Sequence, residues 1–469
     1  MQTQTNNRID AEAARRRTEL PRKLGLISAI AVLVGSSIGS GIFRSPAGIA
    51  AKVPDLGLYL FDWSLGGLFA LCGALTYMEL AGALPYTGGV FVYLREGFGR
   101  LPAFLFGWSE MVVIRASALG AIATVFAEYL LRLLGIENAD GVHYVAAGAV
   151  LVIAILNIIG VNLGAFVQNL TTGLKYAALL ALVVAAFVIG GHNPAPAQAQ
   201  AAAGAGVTTL GSFGLALISI LWVYDGWGDV TFVSGEVKRP ERNLPLALAI
   251  GTLSVIAIYL LANLAYLHLL DIRQIAGSKL VAADAAYRII GDAGARLVSV
   301  AVMVAALGTL NGSMMTGPRI FFAMADEGLF FRKIAAVHPR FKTPYVAISL
   351  AAALAIVFVM LRSFEQLADT FVLAIWPFYA GGVAAVYTLR RRKPEMPRPY
   401  KTLGYPVTPA LFILAAVFLL GNALADDIAY YIRGGRALAG SSGALLVLVI
   451  ILAGIPAYLI WEATHKKIG

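Results

Sequence analysis

The sequence predicts an all-α integral membrane protein with twelve transmembrane helices. Of its 469 residues, 59% are hydrophobic and 13% are charged, whereas soluble domains carry roughly 45–50% apolar and about 25% charged residues. A helix needs about 20 apolar residues to cross a bilayer, and such runs recur from residue 24 to residue 462. The predicted spans lie near residues 24–50, 57–84, 101–134, 142–160, 165–190, 211–236, 244–271, 294–324, 344–361, 365–389, 404–424 and 441–462.

The charge distribution predicts the orientation of these spans. Lys and Arg number 36 against 26 Asp and Glu, which gives a net charge of +10, and 24 of the 36 basic residues fall on the side of the N-terminus. Basic residues concentrate on the cytoplasmic side of membrane proteins. Both termini are therefore predicted to be cytoplasmic, in an inner (plasma) membrane. The positive charge is explained by this rule, so the expected surroundings are a lipid bilayer and no nucleic acid.

The spans group into two sets of five and a trailing pair. The predicted segments are a cytoplasmic N-terminal tail at 1–23, a first set at 24–190, a flexible outer loop at 191–210, a second set at 211–389, a basic cytoplasmic loop at 390–403, the last two spans at 404–462 and a cytoplasmic C-terminal tail at 463–469. Cys72 is the single cysteine of the sequence. It excludes an internal disulfide and a cysteine-based metal site, and we expect no cofactor.

Two spans carry residues that interrupt a helix. The first span contains Gly35-Ser36-Ser37-Ile38-Gly39-Ser40-Gly41, and the sixth contains Trp222-Val223-Tyr224-Asp225-Gly226-Trp227-Gly228-Asp229. Glycine weakens a helix interior by about 1 kcal/mol relative to alanine, and non-helical backbone at membrane depth persists only where it lines a cavity or is buried in protein. Each interruption falls in the first helix of its five-helix set, and such matching breaks point to the substrate site of a transporter.

The predicted breaks favour a zwitterionic ligand. An unwound helix end offers free N–H groups with a positive dipole to a carboxylate, and the facing end offers carbonyl oxygens to an ammonium group. An α-amino acid carries both groups. An alternative for the first break is that Gly35 and Gly39 form a small-residue packing pair between helices, which leaves the run around Asp225 unexplained.

Six motifs in one order carry a family resemblance. They are Gly39-Ser40-Gly41-Ile42-Phe43; Leu84-Pro85-Tyr86-Thr87-Gly88-Gly89 with Phe98-Gly99; Trp108-Ser109-Glu110 with Ile114-Arg115; Tyr224-Asp225-Gly226-Trp227; Gly235-Glu236-Val237 with Pro240-Glu241-Arg242-Asn243-Leu244-Pro245; and Leu310-Asn311-Gly312-Ser313 with Gly317-Pro318-Arg319. With these motifs the chain resembles the amino acid–polyamine–organocation (APC) superfamily, and within it the L-type amino acid transporter (LAT) group. The matches run through the first ten spans.

The resemblance implies a five-plus-five inverted repeat of the LeuT-like kind, with helices 1 and 6 unwound at mid-membrane and two trailing helices. It also implies amino acid transport by alternating access. The substrate-binding positions that it implies are Ser37, Ile38, Gly39, Ser40, Gly41, Trp222, Val223 and Asp225. The N–H groups around Ser40 and Gly41 would bind the carboxylate, and the carbonyls of Ser37, Trp222 and Asp225 would bind the amine. Trp222 stands where relatives have an aromatic gate.

Lys175 lies roughly ten residues into the fifth span, on the order of 15 Å deep at 1.5 Å per residue. A charge at that depth is by default a functional hypothesis. The resemblance implies that its ammonium replaces the sodium ion of sodium-coupled relatives and links span 1 to span 8, with Thr309 or Ser313 as hydroxyl partner. A purely structural ion pair remains open as an alternative. So does proton release during transport, because buried lysines can lose their proton.

Three further charged residues inside the predicted spans bear on the candidate site. Asp225 stands where many L-type relatives have glycine and where the cystine and cationic amino acid exchanger has aspartate; it could pair with a cationic substrate or cap the broken helix. Glu110 and Arg115 are five residues apart, about 140° around an α-helix at 3.6 residues per turn. They are therefore predicted to have separate partners.

The sequence thus predicts a sodium-independent amino acid transporter, an exchanger of L-amino acids with neutral substrates preferred and cationic ones as a further class. The alternatives are a proton-coupled symporter with Lys175 as proton carrier, and a non-transporting amino acid sensor. The five histidines are scattered, which argues against an enzyme. The loop from Gly135 to His143 has no cysteine, so a disulfide-linked heavy-chain partner is not expected.

Overall fold

The computed structural model describes residues 24–136, 139–159, 161–190, 208–326, 343–435 and 443–465, together with Arg22 and most positions from 328 to 341. Most of the predicted N-terminal tail, residues 191–207 of the predicted outer loop and residues 466–469 of the C-terminal tail lie outside the described residues.

The regular elements of the described chain are helical, and one isolated bridge pairs Leu24 with Val237. The helices are α1 (Leu26–Ser37), α2 (Gly41–Lys52), α3 (Leu56–Ala83), α4 (Val90–Phe98), α5 (Arg100–Ser109), a π-helical turn (Glu110–Ile114), α6 (Arg115–Leu133), α7 (Ala139–Ile159), α8 (Val161–Val188), α9 (Leu210–Tyr224), a 3₁₀ segment (Asp229–Glu236), α10 (Pro240–Leu269), α11 (Ile272–Gly277), α12 (Val281–Asp326), α13 (Tyr345–Leu361), α14 (Phe364–Arg392), α15 (Val407–Ile432) and α16 (Ala444–His465).

Ten helices in the described part of the chain are long and apolar enough to cross a membrane, which makes the chain an integral membrane protein. The bent pair α1–α2 forms an eleventh crossing if it is one span, and α13 is a shorter apolar helix. The sequence places the start of the eighth span at residue 294, whereas α12 begins at Val281. The two differ because α12 contains two helical parts, separated at Ile290 and Gly291, whose backbone angles are not helical. The second part therefore begins close to the predicted residue 294.

The helices differ in how deeply they are buried. In the continuous stretch Arg100–Leu133, 83% of the most apolar window is buried, whereas in Ala444–Ala463 the share is 22%. Large apolar side chains on the peripheral helices are exposed, among them Leu414 and Val417 of α15 and Val449 of α16. Exposed apolar surface of this kind suits contact with lipid. The charges that matter for function are therefore expected on the central helices.

The bundle has two ends. At the end called here the N-terminal face, the Leu24 N–H donates to the Glu236 carbonyl (2.9 Å). On the same face, buried Glu79 of α3 accepts hydrogen bonds from Arg390 of α14 (2.9 and 2.6 Å) and from the Thr402 N–H (2.7 Å). These contacts connect α3, α14 and the segment before α15. The opposite end, where α2 terminates at Lys52, is called the distal face.

Candidate functional site

The first predicted interruption separates α1 from α2. Helix α1 ends at Ser37, α2 begins at Gly41, and the two axes differ by 41°. Between them, the Ile38 N–H donates a hydrogen bond to the Val34 carbonyl (2.8 Å), which is the last hydrogen bond of α1. The first N–H groups of a helix have no partner within it. The start of α2 therefore provides backbone donors, beginning at Gly41.

The second interruption separates α9 from the 3₁₀ segment. Helix α9 ends at Tyr224, Asp225 is extended (φ −61°, ψ 161°), and Gly226 has a φ of +99°. A φ in this region suits glycine, which has no Cβ. The chain continues through a turn into the 3₁₀ segment at Asp229. From the sequence, Gly226 is expected only to weaken the helix, whereas its backbone conformation in the structure requires glycine at this position.

The two breaks lie against each other. A Cβ atom at Gly41 would lie 3.1 Å from Cγ2 of Val223 and 3.3 Å from Nε1 of Trp222. The absence of a side chain at Gly41 lets α2 approach the end of α9 closely. The residues that the sequence groups into two distant segments are thus brought to one place.

A cavity of about 70 Å³ lies at this junction. Of the predicted site residues, those that line it are Ser37, Gly39, Ser40, Gly41, Trp222, Val223, Asp225, Thr309 and Ser313. Ile38 is buried and is not among the lining residues. Lys175 does not line the cavity either, and its ammonium lies next to two groups that do.

Lys175 joins three helices. Its side chain is 1% exposed, and its Nζ donates to the Gly35 carbonyl of α1 (3.1 Å) and to Thr309 Oγ1 of α12 (2.7 Å). Of the two hydroxyls expected beside this lysine, Thr309 is the one that accepts its hydrogen bond. Ser313 instead accepts a hydrogen bond from Arg115 Nη1 (2.8 Å).

Arg115 and Glu110 form an ion pair, so the prediction that they have separate partners is wrong. The predicted angle of about 140° assumes an α-helix, but residues 110–114 form a π-helical turn, in which hydrogen bonds join residues i and i+5. Residues five apart then lie on one face. The Glu110 side chain is 1% exposed and that of Arg115 is 11% exposed, so the pair is held inside the bundle.

Four lining residues with polar side chains are absent from the predicted site: Ser36, Arg115, Asp229 and Tyr379. The Tyr379 hydroxyl donates to Asp225 Oδ1 (2.9 Å). The sequence does mark Arg115 as a charge inside a span and Asp229 as part of the sixth-span run. No feature of the sequence points to Tyr379, because its hydroxyl reaches the cavity only through the packing of α14 against α9.

Aromatic rings lie beside the cavity at Trp222. The Trp222 ring packs edge-on against Phe371 (5.0 Å between centroids) and Phe364 (6.4 Å) of α14. Trp222 is 9% exposed. The residue proposed as a gate is thus held between α9 and α14, on the side of the cavity toward Phe364 at the distal start of α14.

Ion pairs join the distal ends of the helices above these rings. Arg44 of α2 lies 2.9 Å from Glu128 of α6 and 2.8 Å from Glu365 of α14, and its guanidinium stacks over Phe364. Lys52 at the end of α2 donates to Ser219 of α9 (3.0 Å). Polar contacts therefore join helix α2 to three neighbouring helices at the distal face.

A helical bundle of membrane-crossing length, with two broken helices meeting at a cavity lined by charged groups, has the features of a membrane transporter. Comparison with known proteins agrees with this class. The family model described as amino acid permease matches residues 24–454, and the chain belongs to this family. The resemblance to the APC superfamily is confirmed.

The chain is similar over most of its length to several characterised transporters. It is 34% identical over 442 residues to the serine/threonine exchanger SteT of Bacillus subtilis (strain 168), which covers 94% of this chain and 96% of the relative. It is 31% identical over 407 residues to the b(0,+)-type amino acid transporter 1 of Homo sapiens, covering 86% and 82%. It is 29% identical over 456 residues to the human cystine/glutamate transporter, covering 96% and 87%.

Proposed function

We propose that this chain is a sodium-independent transporter that exchanges L-amino acids by alternating access. The observation that carries the proposal is the pair of hydrogen bonds from Lys175 Nζ to the Gly35 carbonyl and Thr309 Oγ1. Carbonyl and hydroxyl oxygens are the groups that bind sodium in proteins, and here an ammonium already occupies them. A second cation beside it would be repelled, so α1 and α12 need no sodium ion to be held together.

The proposed architecture has twelve crossings in a five-plus-five inverted repeat with two trailing helices. It counts the α1–α2 pair and α13 as one crossing each. The breaks after Ser37 and after Tyr224 support it, since each lies in the first helix of a five-helix set. The excess of Lys and Arg on the N-terminal side supports a cytoplasmic N-terminal face and an outward distal face.

In the proposed complex the substrate lies between the two breaks. Its carboxylate binds the N–H groups at Ser40 and Gly41, and its ammonium binds the carbonyls at the end of α9 and at Ser37. The Ser37 carbonyl already accepts hydrogen bonds from the Tyr259 hydroxyl and from the Gly39 N–H (2.8 Å). Both of its lone pairs are therefore engaged, and the substrate ammonium must displace one of these donors. Trp222 closes over the bound amino acid and moves when the distal face opens.

The cavity supports a small neutral amino acid as the preferred substrate. Its volume of about 70 Å³ is several times the roughly 10–15 Å³ that one buried water molecule requires. A relative is named as a serine/threonine exchanger, and L-serine is the probe that this size favours. Cationic amino acids are a further proposed class, because Asp225 and Asp229 both line the cavity.

Proton-coupled symport is the second candidate. Lys175 is buried, and its hydrogen bonds go to a neutral carbonyl and a neutral hydroxyl. An ammonium without a carboxylate partner in an apolar setting can give up its proton. The same site would then carry a proton with the substrate, and Lys175 would act as the carrier.

We further propose that the chain works without a disulfide-linked partner. Cys72 is buried in α3, where no second chain could form a disulfide with it. The loop from Gly135 to His143, which follows α6, contains no cysteine.

The test is efflux of radiolabelled L-serine from proteoliposomes in sodium-free buffer. Release that requires unlabelled amino acid outside supports exchange. Release into plain buffer that responds to a pH gradient supports proton coupling instead. If serine, other neutral amino acids and arginine all stay inside, the transport proposal fails and a sensor becomes the better description; binding measured by thermal stabilisation with the same amino acids then tests the sensor.

A further inference from the structure

Asp62 is a buried carboxylate in the distal half of α3, away from the substrate cavity. It lies six residues after the first residue of α3, about 9 Å along the helix at 1.5 Å per residue, and it is 0% exposed. Neither carboxylate oxygen has a hydrogen-bond partner among the residues that the structure describes. An ionised carboxylate is far costlier to bury alone than a neutral carboxyl group, so Asp62 requires a compensating charge or a proton.

Lys52 is the charged residue that acts on Asp62, but its ammonium is already engaged. Lys52 Nζ donates to Ser219 Oγ (3.0 Å) and to the Leu215 carbonyl (3.3 Å), and it lies 3.9 Å from Asp369 Oδ2. Asp369 also accepts a hydrogen bond from Ser219 (3.2 Å). One ammonium thus faces two carboxylates, of which Asp369 is the one bound into the network. Lys52, Asp62, Ser219 and Asp369 are called the distal cluster below.

The other charged groups around this part of α3 provide no free positive charge. Glu365 of α14 is 2.8 Å from Arg44, which also pairs with Glu128, and Asp427 of α15 acts on Arg362. The remaining titratable groups are Tyr59 of α3, Tyr224 of α9, and Tyr259 and Tyr266 of α10. Tyrosine has an ordinary pKa of about 10 and is neutral. Full ionisation of the distal cluster would therefore leave one unbalanced negative charge out of water.

We propose that Asp62 is a proton-binding site of the distal face. Its carboxyl group holds a proton while α2 is packed against α9 and α14. When this face opens and water enters, the O–H bond breaks, the electron pair stays on the carboxylate, and the proton passes to the solution outside. Closing reverses the step and takes a proton from the same solution. No proton crosses the membrane in this cycle, and acid solution favours the closed face.

The inference rests on the transport function proposed above, and it predicts a pH-dependent exchange rate without proton coupling. The measurement is exchange of radiolabelled L-serine in proteoliposomes with the same pH on both sides, from about pH 8 to about pH 5. This range lies below the pKa values that buried carboxyl groups can reach and above those of carboxyl groups in water. Wild-type exchange is expected to slow as the pH falls, by up to about tenfold per pH unit for one proton.

Variants of the distal cluster assign this effect to Asp62. Asp62→Asn imitates the protonated group, so its exchange is expected to be slow at every pH and to match the acid limit of the wild type. Asp369→Asn leaves Lys52 free to neutralise Asp62, and the fall in rate should move to lower pH. Asp55→Asn is the matched control, since Asp55 is an exposed residue that caps the same helix, and it should keep the wild-type profile.

A flat wild-type profile, an Asp62→Asn variant with the wild-type slope, or an unchanged profile in Asp369→Asn would each overturn the proposal. If Asp62→Asn does not fold, the wild type and Asp369→Asn decide. Infrared spectroscopy tests the protonation of Asp62 without transport. A protonated carboxyl band at neutral pH that disappears in Asp62→Asn, or that titrates at lower pH in Asp369→Asn, supports the proposal. The absence of such a band from the wild type overturns it. Failure of the transport function itself would show as wild-type protein that moves no amino acid at any pH.

Discussion

Gly226 lies so close to Ser37 that the backbones of the two broken helices are in contact. A Cβ atom at Gly226 would be 2.7 Å from the Ser37 nitrogen, a separation that real Cβ atoms do not show. Gly226 also has a φ of +99°, which L-residues rarely adopt. The junction of the two breaks therefore depends on this one residue having no side chain.

The substitution Gly226→Ala is expected to abolish exchange and to destabilise the folded protein by at least about 1 kcal/mol, because the new Cβ meets both a strained φ and the backbone of α1. The measurement is serine exchange together with thermal unfolding in detergent. Gly228→Ala is the matched control, since Gly228 has a φ of −83° and the nearest atom to its Cβ position is 3.8 Å away. Equal behaviour of the two variants would contradict this account.

Replacing Lys175 tests the tie between α1 and α12. Lys175→Met keeps the length of the side chain but leaves the Gly35 carbonyl and the Thr309 hydroxyl without their charged donor. A hydrogen bond to a charged group contributes about 1.5–3 kcal/mol, so exchange should fall at least about tenfold, and added sodium should not restore it. Lys401→Met, at an exposed lysine of the N-terminal face, serves as control. Unaltered exchange in Lys175→Met would refute the proposed role.

The ion pair of Glu110 and Arg115 offers a stability test. Glu110→Gln leaves a buried guanidinium without its carboxylate, and breaking such a pair costs about 3–5 kcal/mol. The double variant Glu110→Gln with Arg115→Gln should lose less stability than the sum of the single variants. Thermal unfolding of the three proteins measures the coupling, with Glu241→Gln at an exposed position as control. Additive losses would mean that the two side chains do not interact.

Asp225→Asn tests whether cationic amino acids use the cavity carboxylate. Inhibition of serine exchange by external lysine or arginine should weaken by about tenfold or more, the equivalent of about 1.4 kcal/mol, while exchange of serine itself changes little. Tyr379→Phe removes the hydroxyl bonded to Asp225 but keeps the carboxylate, so inhibition should persist in that variant. If lysine inhibits all three proteins alike, Asp225 does not select the substrate charge.

Trp222→Ala tests the gate. Loss of the indole opens the space between α9 and the rings of Phe371 and Phe364, so substrate should be held less well and the apparent KM for serine should rise about tenfold, the effect of about 1.4 kcal/mol. Trp222→Phe retains an aromatic contact with α14 and should lie between that variant and the wild type. An unchanged KM in Trp222→Ala would remove the gate from the proposed mechanism.

The architecture and the location of the candidate cavity follow largely from local sequence. Runs of apolar residues determine where helices form, because a bilayer leaves the backbone no other partner than itself. Clusters of glycine at residues 35–41 and 226–228 predict the two interruptions, and most of the substrate positions assigned from the family resemblance line the cavity that these breaks form. Lys175 is recognisable as well, since its charge is isolated in an apolar span.

Apart from the hydroxyl beside Lys175, which the family resemblance narrowed to two candidates, the side-chain partners were decided by the tertiary structure. Glu110 meets Arg115 because one π-helical turn changes the angle between them, and the sequence has no pattern that distinguishes this turn from α-helix. Tyr379 reaches Asp225, and Lys52 acts on Asp62, across helices far apart in the chain. Periodicity and composition determine which segments become helices and which faces are apolar. The identity of the groups that meet depends on how those helices pack, and that arrangement places the charges of the cavity and of the distal cluster.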